Sequence, residues 1–179
     1  MPTLHRLVLG LSLAFALVGC TTMTPTRTLT TVPHVDLDRY MGRWEVIAFV
    51  PNFLENGKVA TADSYARRPD GKLDNVYSFR KGSFAAPEKS WHGIAWITNP
   101  ETNAEWKVRL FWPFVSEYKI LELAPDYTWS VVASNGGNLL WILARQRTLP
   151  DDVYRDLLAR LAHRGLDAAS LVKVPQPAE

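Results

Sequence analysis

Between residues 43 and 145 the chain is a succession of short runs rich in β-branched and aromatic residues, separated by turn-forming ones. The run Glu105-Trp106-Lys107-Val108-Arg109-Leu110 shows the pattern most clearly, with charged residues at odd positions and apolar ones at even positions. Successive side chains of a strand point to opposite faces, so Trp106, Val108 and Leu110 are expected to share a buried face. Trp91, Gly93, Ala95 and Ile97 form a similar series, as do Lys119, Leu121 and Leu123. Over 59–67 the alternation is less clean and does not settle which side chains face inward. The spacing predicts eight strands, over 43–50, 59–67, 73–81, 90–98, 105–112, 118–123, 128–134 and 139–145. Between them lie Pro69-Asp70-Gly71, Asn99-Pro100, Pro113, Pro125-Asp126 and Asn135-Gly136-Gly137-Asn138, which supply the backbone conformations of tight connections. The pattern suggests an all-β sandwich or barrel, and eight strands favour a closed eight-stranded antiparallel barrel, because closure removes the exposed edges. The small residues Gly93 and Ala95 argue for space inside it, since a solidly packed barrel favours bulkier ones.

One helix is predicted after the strands. Pro150 suits a first helical position, Asp151 and Asp152 suit the positive end of the helix dipole, and Gly165 suits the stop. Val153, Leu157, Leu158 and Leu161 recur at helical spacing, forming a stripe expected to pack on the barrel wall. Residues 170–174 are read as a short closing strand.

The amino terminus follows different rules. His5 and Arg6 precede an apolar run over 7–18 and then Gly19-Cys20. About twenty apolar residues are needed to cross a bilayer as a helix, so this run has the layout of a secretory leader. Leu17-Val18-Gly19-Cys20 resembles a lipobox, the bacterial signal that is cut before a cysteine which is then acylated. That resemblance implies a signal peptide over 1–19, lipid attachment at Cys20, a Thr-rich tether over 20–35 and a folded domain over 36–179. Thr21, where Asp would resemble an inner-membrane retention signal, favours the outer membrane of a Gram-negative cell.

Composition narrows the function classes. Twenty Lys and Arg against eighteen Asp and Glu, with the signs interspersed, leave no basic footprint for nucleic acid. A single Cys excludes an intramolecular disulfide framework and a cysteine-rich zinc site. The four histidines, His5, His34, His92 and His163, contain no pair at metal-ligand spacing, so no metal is expected, and His92 is read as an outward residue. There is no Gly-x-Ser-x-Gly elbow and no glycine-rich phosphate loop. No catalytic residue and no cofactor are therefore assigned.

Three motifs in order complete the reading. Residues 36–44, Asp-Leu-Asp-Arg-Tyr-Met-Gly-Arg-Trp, resemble the entry turn and Gly-x-Trp signature of the lipocalin family. Asp126-Tyr127 is similar to the family's second motif, and Trp141-Ile142-Leu143-Ala144-Arg145 to its third. With the leader, the nearest group is the bacterial outer-membrane lipocalins of the Blc type, similar in turn to apolipoprotein D. The chain departs from them in having Glu45-Val46 after the signature Trp, and Ala124-Pro125 before Asp126. The resemblance implies an up-and-down barrel, or calyx, whose closed end is plugged by Trp44 with the Arg145 guanidinium across its ring. Gly42, Trp44 and Arg145 are thus structural. Pocket positions carried over from apolipoprotein D-like relatives are Tyr65 and Trp141, with Lys119 near the mouth. Inward alternation adds Val46, Ala48, Trp91, Trp106, Val108 and Leu121.

The implied function is binding of a hydrophobic acyl-chain ligand, a fatty acid or lysophospholipid, for lipid storage, transport or membrane maintenance. Its polar head is expected at the mouth near Lys119, and the lipid anchor is expected to hold that mouth close to the membrane. A homodimer is left open. Two alternatives stand beside it. A lipocalin-fold enzyme acting on a hydrophobic substrate would need an inward carboxylate or His with a strongly shifted pKa. An envelope protein-interaction module would have a filled barrel and a large exposed apolar patch.

Overall fold

The computed structural model describes residues 28–178. The leader, Cys20 and the first part of the tether lie outside them. The described chain opens with the four-residue helix α1 (Leu37–Tyr40), capped by the Asp36 carboxylate, which accepts from the amides of Asp38 (2.9 Å) and Arg39 (3.3 Å). Eight strands follow: β1 (Gly42–Phe49), β2 (Lys58–Arg67), β3 (Leu73–Lys81), β4 (Lys89–Ile97), β5 (Glu105–Phe111), β6 (Phe114–Leu123), β7 (Trp129–Ser134) and β8 (Leu139–Ala144). Each pairs antiparallel with its successor, and β8 and β2 both pair with β1, closing an eight-stranded barrel. The helix α2 (Asp151–His163) and the two-residue strand β9 (Val172–Lys173), antiparallel to β1, complete the fold.

β6 starts four residues earlier than the alternation predicted. Phe111 pairs directly with Phe114, so the chain reverses over Trp112-Pro113 and both arms of the hairpin reach the barrel's end. The turns after β2, β4 and β6 lie at the same end as α1, which is the closed one. The loops after β1, β3, β5 and β7 lie at the other, open end.

Apolar burial is split between two layers. One cluster fills the lower barrel, with Tyr40, Trp44, Val46, Phe49, Tyr65 and Trp106 among its buried members. The second lies between the outer face of β1, β6, β7 and β8 and the helix α2, whose Leu157 and Leu161 are fully buried. Val153 and Leu158 pack against the same layer, as the helical stripe predicted. Arg160 and Arg164 then reach Glu122 on β6 at 2.8 and 3.5 Å, tying the helix to the wall at its polar margin.

Residues 29–35 belong to this body, so a domain starting at Asp36 begins too late. Leu29 is buried in the helix-side layer and Val35 is completely buried. The amide of Val32 donates to Ile120 (3.0 Å) and that of Val35 to Thr102 (2.7 Å). Apolar residues at 29, 32 and 35, set among threonines, bury one side of an extended segment that lacks helical or strand periodicity.

Two β-bulges change which side chains face inward. In β1 the register shifts between Val46 and Ala48, and Ile47 and Ala48 both join the helix-side layer while Val46 and Phe49 face the interior. In β6 Leu121 packs outward next to inward Ile120, and the register shift between Ile120 and Glu122 puts Glu122 on the helix side as well and returns Leu123 to the interior. An extra residue in one strand reverses the parity beyond it. The carboxyl-terminal tail fills the gap that opens between β1 and β2: the Gln176 side-chain amide donates to Val46 O (2.9 Å) and Thr61 O (3.0 Å).

Candidate functional site

The closed end is built around Trp44. Its indole Nε1 donates to Tyr40 O (2.8 Å), and the Arg145 guanidinium carbon lies 3.7 Å from the ring centroid. Arg145 also donates to the carbonyls of Arg39, Tyr40, Met41 and Arg43 at 2.7–3.2 Å. The carbonyls left open by the short helix α1 and the turn after it therefore meet one charged fork. Gly42 takes φ +93°, a backbone conformation that favours glycine, and a Cβ there would meet Arg145 Nη1 at an ordinary contact distance of 3.5 Å.

Above this plug lies a layer of aromatic residues. Trp106 stacks on Tyr118 (centroids 4.8 Å apart, 11° between planes) and meets Tyr40 and Tyr65 edge-on. The hydroxyls of Tyr40 and Tyr118 share a 2.9 Å hydrogen bond. Burial pushes the Tyr40 hydroxyl up to about 12 and holds those of Tyr65 and Tyr118 well above the usual phenol range, so all three are neutral.

The upper barrel is hollow. A cavity of about 530 Å³ runs from this layer to the open end, walled mainly by Tyr65, Trp91, Val108, Leu110, Trp141 and Leu143. At its rim Phe53, Trp112 and Phe114 are 90%, 83% and 75% exposed, and Phe53 and Phe114 also border the cavity. These rim side chains come from the loop after β1 and the hairpin between β5 and β6.

The cavity also carries carboxylates that no periodicity announced. Asp63 on β2 shares the inward face of Tyr65 and accepts from Asn75 Nδ2 (3.2 Å). Glu55, folded in from the loop after β1, accepts from Trp141 Nε1 at 2.9 and 3.0 Å. Burial raises Glu55 to about 7, with the Asp63 charge adding to the shift, and burial raises Asp63 to about 6. Lys58 Nζ is buried without a hydrogen-bond partner, over the rings of Trp91 (3.3 Å), Phe79 (3.9 Å) and Tyr77 (5.0 Å). Desolvation lowers it to about 8. Asp63 was readable in principle, being two residues from Tyr65 on a strand; Glu55 left no signal, because a loop has no parity.

The residues expected from the sequence fall into three groups. Tyr65, Trp91, Val108 and Trp141 border the cavity. Val46 and Trp106 point inward but lie in the packed layer below it. The inward orientation expected for Ala48, Leu121 and Lys119 is corrected. The bulge in β1 puts Ala48 beneath the helix, and Leu121 lies there because it shares the outward parity of Lys119. Lys119 stands opposite Glu105 on the outer surface and pairs with it at 3.0 Å, because Trp106 and Tyr118 take the inward positions in that register. Gly93 is small for another reason than cavity space: a Cβ there would lie 2.7 Å from Arg109 O and 2.9 Å from Leu110 Cα. The strands β4 and β5 approach too closely for a side chain. His92 is exposed and meets Ser90 Oγ at 3.0 Å.

A closed eight-stranded antiparallel barrel, plugged by a Gly-x-Trp turn under an arginine and flanked by one helix, is the lipocalin architecture. Residues 35–176 match the family model described as a lipocalin-like domain. The chain is 33% identical over 174 residues to the outer membrane lipoprotein Blc of Escherichia coli (strain K12), covering 96% of each protein. It is 30% identical over 173 residues to that of Citrobacter freundii, covering 95% of this chain and 96% of that one. Among solved structures it resembles insecticyanin from the tobacco hornworm, Manduca sexta, with a TM-score of 0.65 and 19% identity over 84% of this chain and 85% of that one. The chain belongs to the lipocalin family.

Proposed function

We propose that this lipocalin takes the acyl chain of a fatty acid or lysophospholipid into its calyx, for lipid storage, transport or membrane maintenance at the outer membrane. The observation that carries the reading is the cavity of about 530 Å³, open at one end and walled chiefly by aromatic and aliphatic side chains. Ligand pockets of several hundred Å³ bury most of a small amphiphile. Removing apolar surface from water stabilises by about 25 cal/mol per Å², so a long chain binds there with few polar contacts. The hollow upper barrel also argues against a filled interaction module. Anchoring at Cys20 is supported by the lipobox-like run and by two relatives named as outer membrane lipoproteins.

A second reading, a lipocalin-fold enzyme, gains support from the inward carboxylates Glu55 and Asp63. We favour binding. The two groups are held by neutral amides and an indole, and no nucleophilic Cys, Ser or His stands with them in the cavity wall beyond Ser116 and Ser134, which make no hydrogen bond to either.

Native mass spectrometry of the protein purified without detergent, then challenged with lysophospholipids, tests the reading. The expected result is one acyl-lipid per chain, lost in Val108→Trp, which fills the cavity, and kept in Lys107→Trp on the outer face of the same strand. A folded protein that gains no lipid mass would overturn it. Conversion of the added lipid to product masses, abolished by Asp63→Asn, would establish the enzyme instead.

A further inference from the structure

We propose that the calyx recognises its amphiphile by a cationic end, an alkylammonium group carried on a hydrophobic chain and seated at Glu55 and Asp63. The proposal rests on the reading of the calyx as a lipid-binding cavity and narrows the class of lipid.

The charge of the wall carries the argument. Among the described residues, the inward carboxylates that border the cavity are Glu55 and Asp63, and no Lys, Arg or His borders it. Glu117 also lines the opening, but its carboxylate stands on the outer face opposite Lys107, 3.9 Å away. The inner two have only neutral donors, Trp141 and Asn75. Arg43 and Lys119 stand on the outer face, paired with Glu45 at 2.7 Å and Glu105 at 3.0 Å. Lys58 is the nearest ammonium, sealed behind the rings of Trp91, Phe79 and Tyr77 and absent from the cavity surface.

Two buried carboxylates in one apolar chamber are costly, and the Lys58 charge offsets that of Glu55 only in part. A ligand carboxylate would bring a third negative charge into the same space, whereas an ammonium relieves the first two. The rings of Tyr77, Trp91 and Trp141 border the cavity; Lys58 already lies over the first two, and Trp141, beside Glu55, is the aromatic neighbour that suits a ligand cation, including a quaternary one with no N–H to donate. Tyr77 borders the cavity and is 4% exposed, with its buried hydroxyl beside that of Thr61.

The ionised carboxylates hold the cation. Its affinity therefore rises as pH climbs through about 6 and 7, where Asp63 and Glu55 lose their protons, and levels off above. Asp63, Lys58, Asn52 and Trp141 surround Glu55, and Asn75 faces Asp63; Lys58 stays charged until about pH 8.

Displacement of a neutral fluorescent probe, N-phenyl-1-naphthylamine, tests this with hexadecyltrimethylammonium and palmitate, both below their micelle concentrations. At pH 7.5 the ammonium is expected to displace the probe at a concentration at least about tenfold lower than palmitate. The advantage should shrink at pH 5. It should also fall to within about threefold in Glu55→Gln/Asp63→Asn, whose folding is checked by its unfolding transition, and persist in Glu105→Gln on the outer surface. Displacement by lysophosphatidylcholine ahead of lysophosphatidylglycerol of the same chain assigns the ammonium to a lysolipid. Displacement by the alkylammonium alone assigns it to a free long-chain amine. Palmitate competing equally well or better, or an ammonium advantage unchanged in the double variant, would overturn the proposal. Failure of the neutral probe to bind at all would instead sink the calyx reading beneath it.

Discussion

Replacing Arg145 with Ala should loosen the closed end of the barrel, and the geometry gives the scale. The guanidinium donates to four carbonyls and covers the Trp44 ring at 3.7 Å. Hydrogen bonds contribute about 1 kcal/mol each net, and water can replace the partners of the more exposed ones, so two count fully. The cation over indole adds about 1 kcal/mol. The loss should be about 3 kcal/mol. With a urea slope of about 2 kcal/mol/M, the unfolding midpoint falls by about 1.5 M. The melting temperature falls by roughly 6–12 °C for a chain of this size. Arg145→Lys keeps a charge near the ring but cannot reproduce the planar fork, and should lose about half as much. Arg147→Ala, which removes one long bond to Ala178 O at 3.4 Å, should move stability by less than about 0.5 kcal/mol. A loss below about 1 kcal/mol for Arg145→Ala would refute the view that this arginine holds the plug together.

Two further outcomes follow from the interior. Glu55 and Asp63 titrate near 7 and 6 in the folded chain, above their ordinary ranges, so between about pH 4 and 7 the folded state holds protons that the unfolded chain has lost. The ligand-free protein should lose roughly 5 kcal/mol of stability from these groups as pH rises through that window. Urea titrations at pH 5 and 7.5 measure the loss, and an equal loss in Glu55→Gln/Asp63→Asn would contradict its assignment to these groups. Gly93→Ala should cost at least about 2 kcal/mol, because the new Cβ would meet backbone atoms of β5 at 2.7 and 2.9 Å and backbone cannot swing aside. Thermal unfolding reads the cost, and a change under about 0.5 kcal/mol would mean that the two strands part easily.

What the chain's pattern announced was the part of the fold governed by repetition. Alternation in 105–110 and 91–97 placed Trp106, Val108, Trp91 and Ala95 on the inward face where they stand. The helical stripe at 153–161 found its wall. Repetition fails where one residue is added. Residues 118–123 read Tyr-Lys-Ile-Leu-Glu-Leu, in which either parity buries apolar residues: Ile120 and Leu121 are buried on opposite sides of the strand, and the bulge at Ile120–Glu122 returns Leu123 to the interior. Ala48 was misplaced by the same device in β1. The acidic interior was hidden for a different reason. Asp63 sits on a strand whose alternation is blurred by the break between Val59 and Ala62, where Ala60 takes φ +51°. Glu55 reaches the cavity from a loop, where the pattern of neighbours says nothing about direction.

The path of residues 29–35 sets a direction for the whole molecule. Val35 is fastened at the closed end, beside Thr102 and Asn103, while Leu29 lies against Gly137 in the turn between β7 and β8 at the open end. The segment thus climbs the outside of the barrel from its plugged base to its mouth, and the first described residues stand beside the aromatic rim. With the attachment proposed at Cys20, nine residues before Leu29, the rim is the part of the barrel nearest to the point of mooring along the chain, so cargo would cross a short gap instead of the length of the protein.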